Sequence, residues 1–238
     1  MAQVNSKQSL KGGGIAAAIL CGGRGRRLGY VDKASISFLG QRLVDRISHC
    51  AAPLSSEVFW VEREIGRLPS VGKTQYHRIS DHSMGGAAGG VLAALEYTQV
   101  TGELSVPINE RWCLVLACDL PLITTHALHM LWLQTQRVSH RSMCVSFSEA
   151  GITQPLCAYW RASSLSILKK HLEEGGRLTT FIQHYGSCLP IETLYSDETL
   201  KREDSDASPL FNLNTIDDLD TLLKFIERYD HSTEVLEL

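Results

Sequence analysis

Four glycines, three arginines and a lysine crowd into one stretch of this 238-residue chain: Leu20-Cys21-Gly22-Gly23-Arg24-Gly25-Arg26-Arg27-Leu28-Gly29-Tyr30-Val31-Asp32-Lys33. Glycine lets backbone amides come close to a ligand and accepts φ > 0 without a Cβ clash. Successive amide N–H groups then form a cup for anionic oxygens, here ringed by Arg24, Arg26, Arg27 and Lys33. That is chemistry for several phosphates rather than one. A second group stands far downstream. Asp119 closes the apolar run Trp112-Cys113-Leu114-Val115-Leu116-Ala117-Cys118. A carboxylate there is a hard oxygen donor suited to Mg²⁺ on phosphate oxygens. Between the two lies Asp81, followed by His82-Ser83-Met84-Gly85-Gly86-Ala87-Ala88-Gly89-Gly90, a turn that permits close backbone approach to something flat or anionic.

Each feature has a plainer reading. The first loop could be an ordinary glycine-rich connection with solvated arginines, but a turn requires neither that many cations nor that many glycines. Gly23-x-Gly25-x-x-x-Gly29 is close to a dinucleotide-binding loop, with Glu62 as its ribose acid. The arginine load exceeds what a diphosphate on a helix N-terminus needs, and Lys33 and Asp119 would then have no task. Gly72-Lys73-Thr74 mimics the end of a P-loop, but Gly66 is one residue too far upstream and no long apolar strand runs into it. The Gly85–Gly90 stretch could be tight helix–sheet packing through small residues. Asp119 could cap the next helix, although Thr124 and Thr125 are better placed for that. His126 and His129 read as surface histidines of a helix rather than a metal pair.

The elements that must carry these residues follow from periodicity. Ile15–Leu20 is a short apolar run ending in glycines, a buried strand opening into a loop. Gln41 to Ala52 has helical spacing in Leu43, Val44, Ile47 and Ala51, and Pro53 ends it. Val58–Val61 and Tyr76–Ser80 are further strands. An Ala-rich helix follows the second glycine turn. The unbroken run before Asp119 is a central parallel strand buried on both faces, its carboxyl end lying where open α/β sheets bind ligands. A helix from about Thr125 to Val138, a strand Met143–Ser148 and a helix Ser163–Glu174 ending at Gly175-Gly176 come next. Leu210 to Leu219 reads as a strand meeting a helix capped by Thr215 with Asp218. Turn chemistry alone would account for Asn212 and Asn214. Strands alternating with helices predict an α/β fold with a Rossmann-like, mostly parallel sheet flanked by helices. We divide the chain into an N-terminal arm 1–13, a single domain 14–230 and a frayed tail 231–238. The loop 196–208 is charged and Ser-rich.

Composition narrows the function classes. Net charge is −3 and hydrophobic content 44%, so no basic surface argues for nucleic acid. No stretch is long enough to span a bilayer, and residues 15–21 are wrong for a lipidation signal. The seven cysteines fall mostly in apolar runs without a paired C-x-x-C set, as reduced thiols of a cytoplasmic protein.

The run from Leu20 to Lys33 resembles the L-A-G-G-x-x-x-R-M-G-x-x-D-K signature of nucleotidyltransferases, and most of all that of MobA-like molybdenum cofactor guanylyltransferases. Cys21 replaces the usual Ala and Leu28 the usual Met. Asp81, Gly86 and Gly90 match D-x-x-x-x-G-P-L-A-G, with Ala87 and Ala88 in place of Pro-Leu. Cys118-Asp119-Leu120-Pro121 resembles the family's metal-binding C-D-x-P, and Gln154–Trp160 its x-P-x-x-A-L segment. Arg177 falls where the family has G-x-R-R, with Leu178 replacing the second arginine. Leu210-Phe211-Asn212-Leu213-Asn214-Thr215 through Leu219 resembles the family's F-x-N-x-N-T-x-x-D/E-L ending. These segments stand in family order from residue 14 to about 229.

The resemblance implies transfer of GMP from GTP to the terminal phosphate of molybdenum-molybdopterin, with Mg²⁺ as cofactor. It implies catalytic roles for Arg27, Lys33 and Asp119, the last also holding the metal. Nucleotide contacts fall to Leu20, Cys21, Gly22, Gly23, Gly25, Lys33, Asp81, Gly90 and Asp119, and the pterin side to Arg177, Asn212 and Asn214. Molybdenum-insertion proteins and recipient molybdoenzymes or their chaperones are the implied hand-over partners. Guanine-specific members resemble L-A-G-G at the first loop and cytidine-specific ones L-A-A-G. Leu20-Cys21-Gly22-Gly23 follows the former. A cytidylyltransferase, a sugar-phosphate nucleotidyltransferase and a non-catalytic relative holding nucleotide or cofactor stand as alternatives.

Overall fold

Ile15–Leu20 forms strand β1, and all six of its residues are buried. A strand that is apolar at every position must be covered on both faces, and β1 sits in the middle of the sheet. The computed structural model describes residues 14–22, 32–66, 68, 76–82, 84–101, 105–196 and 208–230. The arm 1–13, most of the first glycine loop, the Gly72-Lys73-Thr74 segment and the tail 231–238 lie outside the described residues, as does most of the loop 196–208.

After β1 come a two-residue hairpin, β2 (Ser37–Phe38) and β3 (Gln41–Arg42), helix α1 (Leu43–Ala51) and strands β4 (Glu57–Glu62) and β5 (His77–Ser80). Helix α2 (Gly86–Thr101), strand β6 (Trp112–Ala117) and helix α3 (Thr125–Thr135) follow. The second half holds β7 (Cys144–Glu149), β8 (Ile152–Arg161), α4 (Leu165–Glu173), α5 (Leu178–Tyr185), β9 (Gly186–Pro190) and α6 (Ile216–Asp230). Seven strands form one sheet in the order β5-β4-β1-β6-β8-β7-β9. Only β8 runs against its neighbours, β6 and β7; the other pairs are parallel. The sheet is therefore mostly parallel, as the strand–helix alternation predicts.

Helices cover both faces. Val44, Ile47 and Ala51 of α1 and Leu128 and Leu131 of α3 pack on one side, with Ile15, Ile19, Leu114 and Leu116. Val91, Leu92 and Leu95 of α2, Leu168 of α4 and Phe181 of α5 pack on the other, with Ala18, Phe59 and Val115. A third, smaller cluster joins Phe38 and Leu43 to Leu213 and to Leu222 of α6, which ties the carboxyl-terminal helix to the β2–β3 hairpin. No helix among the described residues is long and apolar enough to cross a membrane. All seven cysteines are free thiols. Burial pushes the Cys113 and Cys157 thiols up to about 12, so both stay protonated and inert near neutrality.

Several boundaries differ from the sequence reading. The first helix starts at Leu43 rather than Gln41, because Gln41 and Arg42 pair with Phe38 and Ser37 across a turn. That turn has positive φ at Leu39 and Gly40. The stretch from Leu210 to Thr215 is not a strand. Its Leu213 N–H makes a single bond to the Asp119 carbonyl (2.9 Å) instead of a ladder. Helix α5 and strand β9 are additions. Leu178, Phe181 and Ile182 supply the buried face of α5, and Pro190 ends β9 at the sheet edge.

Candidate active site

The site grows out of the carboxyl ends of β1 and β6. Each ladder continues one residue past its strand, with Cys21 N–H donating to Val61 O (2.9 Å) and Cys118 N–H to Leu20 O (3.3 Å). Gly22 and Asp119 thus emerge side by side. Asp32 then caps a single 3₁₀ turn, Lys33–Ser35, its Oδ1 accepting from Ala34 N–H at 3.2 Å. Ala34 is fully buried, which pins that turn to the core and aims Lys33 back over the strand ends. Lys33 Nζ donates to Asp119 Oδ2 at 2.7 Å and to Asn214 Oδ1 at 2.6 Å. Three residues separated by 86 and 181 positions meet on one ammonium group.

The carboxyl-terminal segment reaches this point because its backbone is docked. Besides the Leu213–Asp119 bond, Asp218 Oδ2 accepts from the N–H groups of Asn214 (2.8 Å) and Thr215 (2.7 Å). Asp218 N–H in turn donates to Thr215 Oγ1 (3.2 Å), closing a reciprocal cap on α6. Desolvation would raise the Asp218 pKa. The amides of Asn214 and Thr215 and the Thr215 hydroxyl, with Lys33 nearby, outweigh it and hold the carboxyl below its ordinary 3.8. A folded pKa below the unfolded one contributes stability above pH 3.8, and that contribution is lost as pH falls through the folded value. Asp218→Asn should therefore flatten the acid limb of stability measured by circular dichroism below about pH 4. An unchanged acid slope would detach this carboxylate from the anchoring of Asn214.

Around the couple lies an open cleft of about 630 Å³, its mouth included. Leu20, Gly22, Asp81, Gly90, Asp119 and Leu156 are among its walls. At Gly90 helix α2 packs tightly on β1: a Cβ there would stand 3.1 Å from Leu20 Cδ1. At Gly22 an added Cβ meets nothing within 4 Å, so the backbone faces open cleft.

Of the residues expected from the sequence, Leu20, Cys21, Gly22, Lys33, Asp81, Gly90 and Asp119 line this one cleft. Cys21 also packs into the core. Its thiol is buried, donates to Ile19 O, and has its pKa raised by desolvation first and by Cys118 next. Asn214 joins through Lys33. Asn212 does not join in the same way: its side-chain amide donates to Leu210 O at 2.9 Å, which is turn chemistry. Arg177 is exposed at the N-cap of α5 and is not among the lining residues. Gly23, Gly25 and Arg27 lie outside the described residues. Glu62 is buried and accepts from Gly66 N–H, with Arg78 3.4 Å away, so its place is structural. His126 is an exposed residue of α3, as expected.

Sequence reasoning missed Asp32 and Leu156 as cleft residues. Asp32 was legible as the acid directly before the site lysine. Leu156 was not, because it reaches the cleft only through the antiparallel pairing of Cys157 with Leu116. Asp32, Asp81 and Asp119 put hard oxygen donors on the cleft wall. No three His, Cys, Asp or Glu side chains gather into a cage among the described residues. One or two protein carboxylates completed by substrate phosphates and water is the coordination Mg²⁺ favours, so this donor set fits that ion.

A mostly parallel α/β sheet carries a cation–carboxylate couple and Gly22 at its strand ends, an arrangement suited to a phosphate-bearing ligand. Comparison with known proteins gives the family. Residues 17–188 match the MobA-like NTP transferase domain, and the chain belongs to that family. A protein of Chloroflexus aggregans named probable molybdenum cofactor guanylyltransferase is 29% identical over 228 residues, 93% of this chain and 97% of that one. The crystal structure of molybdopterin-guanine dinucleotide biosynthesis protein A from Archaeoglobus fulgidus superposes with a TM-score of 0.67 at 23% identity, over 90% of this chain and 99% of that chain. A Mycobacterium tuberculosis chain solved in complex with manganese shares the fold at a TM-score of 0.55 and 10% identity, over 88% of this chain and 98% of its own.

Proposed function

We propose that this protein transfers GMP from GTP to the terminal phosphate of molybdenum-molybdopterin, giving molybdopterin guanine dinucleotide and pyrophosphate. The observation that carries the reading is Lys33, a cleft residue, held between Asp119 and Asn214, in a chain with a relative named probable molybdenum cofactor guanylyltransferase. In the proposed step an oxygen of the pterin phosphate attacks the α-phosphorus of GTP. The bond from that phosphorus to the bridging oxygen breaks, and pyrophosphate leaves with the electron pair. No covalent enzyme intermediate is needed, so the protein's part is positioning and charge neutralisation. Loop amides with Arg27 and Lys33 hold the β- and γ-phosphates and then the departing pyrophosphate. Asp119 would hold Mg²⁺, which when bound supplies Lewis-acid neutralisation of phosphate oxygens. Asn214 restrains the Lys33 ammonium and would meet the pterin phosphate beside it; Arg177 and Asn212, the other residues expected on the pterin side, stand outside the cleft lining. Reduced thiols and the reaction itself support a cytoplasmic location, with molybdenum-insertion proteins and recipient molybdoenzymes or their chaperones as hand-over partners.

The deciding measurement is pyrophosphate release with each of the four NTPs, with and without molybdenum-molybdopterin. Release that requires GTP and the pterin supports the proposal. Release with CTP alone moves the protein to the cytidylyltransferases, and none with any NTP to the non-catalytic binders.

Base choice gives a further expectation. A site of fixed backbone groups discriminates because the wrong base leaves buried polar groups unpaired. GTP should be preferred over CTP at least tenfold, or roughly 1.4 kcal/mol. Gly22→Ala should narrow that gap, since its methyl enters open cleft space and disturbs no neighbour. Competition binding of GTP, CTP and ATP checks both points, and CTP winning in the wild type would reverse the assignment.

A further inference from the structure

The second glycine turn forms part of the cleft wall through Gly86, Ala87 and Gly90, yet little in its own sequence makes it rigid. Gly85 and Gly86 both have positive φ, +68° and +64°, and Ala87 has no ring to fix its backbone. One residue outside the cleft lining gathers the turn. His82 O accepts from Gly85 N–H at 2.8 Å, and His82 N–H donates to Gly89 O at 3.3 Å. The His82 ring adds a third bond, its Nδ1 accepting from Met84 N–H at 3.2 Å. An amide only donates, so Nδ1 must be the bare nitrogen and the ring proton sits on Nε2. Nε2 lies 3.7 Å from Glu96 Oε1 of α2, longer than a hydrogen bond. Gly89 completes the arrangement: a Cβ there would stand 2.9 Å from the His82 carbonyl oxygen, so only glycine lets the first turn of α2 close onto His82.

We infer that His82 is a positioning residue for the nucleotide, bracing the Gly85–Gly90 wall of the cleft where the local sequence is too soft to hold its own shape. It touches no substrate: its ring acts through Met84 N–H, while the bonds to Gly85 and Gly89 come from its backbone and persist in any variant at this position. The inference rests on the reading that this cleft takes a nucleotide.

The test uses the full chain, Mg²⁺ and a fluorescent GTP analogue. His82→Ala removes the ring acceptor and should weaken GTP binding about tenfold, with the pterin KM and the melting temperature little changed. His82→Asn places its Oδ1 near the position of Nδ1 and should recover most of the affinity. Ala87→Pro restores stiffness by another route, because proline is accepted in the first turn of a helix. It should strengthen GTP binding more in the His82→Ala background than in the wild type, the signature of two residues serving one element. Hydrogen exchange of residues 82–90 in the free protein separates this inference from the choice of substrate. Amides of the turn should exchange at least tenfold faster in His82→Ala and at the wild-type rate in His82→Asn. Unchanged turn exchange in His82→Ala overturns the inference even if GTP proves to be the substrate. So does an affinity loss that neither His82→Asn nor Ala87→Pro repairs. A wild type that binds no GTP sinks the proposed function, and the exchange pattern still decides the role of His82.

Discussion

Asp119→Asn should lower kcat by at least about a thousandfold while leaving the protein folded. The several kcal/mol that metal-assisted charge neutralisation contributes to such reactions convert to a loss of that order. The fold should survive because the main-chain role of Asp119 survives: its carbonyl still accepts from Leu213 N–H. The side-chain oxygen of Asn still accepts from Lys33. What disappears is the ion pair, whose partners are 15% and 18% exposed. Exchanging a charged hydrogen bond for a neutral one costs about 1 kcal/mol, so the melting temperature falls by roughly 2–4 °C for a chain of this size. Steady-state kinetics across a Mg²⁺ titration, alongside a thermal melt, make the check. Near-normal Mg²⁺-dependent turnover in this variant would remove Asp119 from the metal role.

Lys33→Ala should raise the KM for GTP and lower kcat together, for a combined loss in kcat/KM of about 10- to 100-fold. Charged hydrogen bonds are worth roughly 1.5–3 kcal/mol, and here one ammonium would serve both bound triphosphate and departing pyrophosphate. Its contacts in the free protein add a second expectation. Lys33 occupies Asp119 Oδ2, so a metal must share that carboxylate with it. Removing Lys33 should leave the apparent Mg²⁺ affinity unchanged or tighter even as GTP binding weakens. A parallel loss of both would show that Lys33 organises the metal site instead. Arg24→Ala is the control, because the family signature is permissive at that position. Equal losses at Arg24 and Lys33 would favour a diffuse positive field over a defined cup. The double variant of Lys33 and Asp119 should lose less than the product of the single effects, since the two side chains act as one unit.

Much of this is legible in the sequence. Unbroken apolar runs at Ile15–Leu20 and Trp112–Ala117 became the two adjacent central strands, because full burial on both faces is the one environment that tolerates such runs in a sheet. Gly22 after the first run and Asp119 after the second then share the carboxyl end of the sheet. The reciprocal cap of Thr215 and Asp218 followed from local chemistry alone. Less legible were the elements made by partners far away. Arg42 was lost from the predicted helix because Ser37, five residues back, offered it a strand partner. The stretch before α6 reads as a strand by composition, but Leu213 finds a buried slot beside Asp119 and no sheet edge.

By itself, the sequence determined the residue types of the site, the order of its segments and the strand ends that carry them, since these depend on hydrophobic period and on glycine and carboxylate chemistry close along the chain. Only the tertiary structure decided which of those residues meet. It brought Asn214 to Lys33 and Asp119, turned the Asn212 amide to Leu210, left Arg177 out of the cleft lining and added Leu156 to it. The reason is physical. A contact across 181 positions is set by strand register, helix docking and the burial of Ala34 and Leu213, and none of these leaves a local period to read.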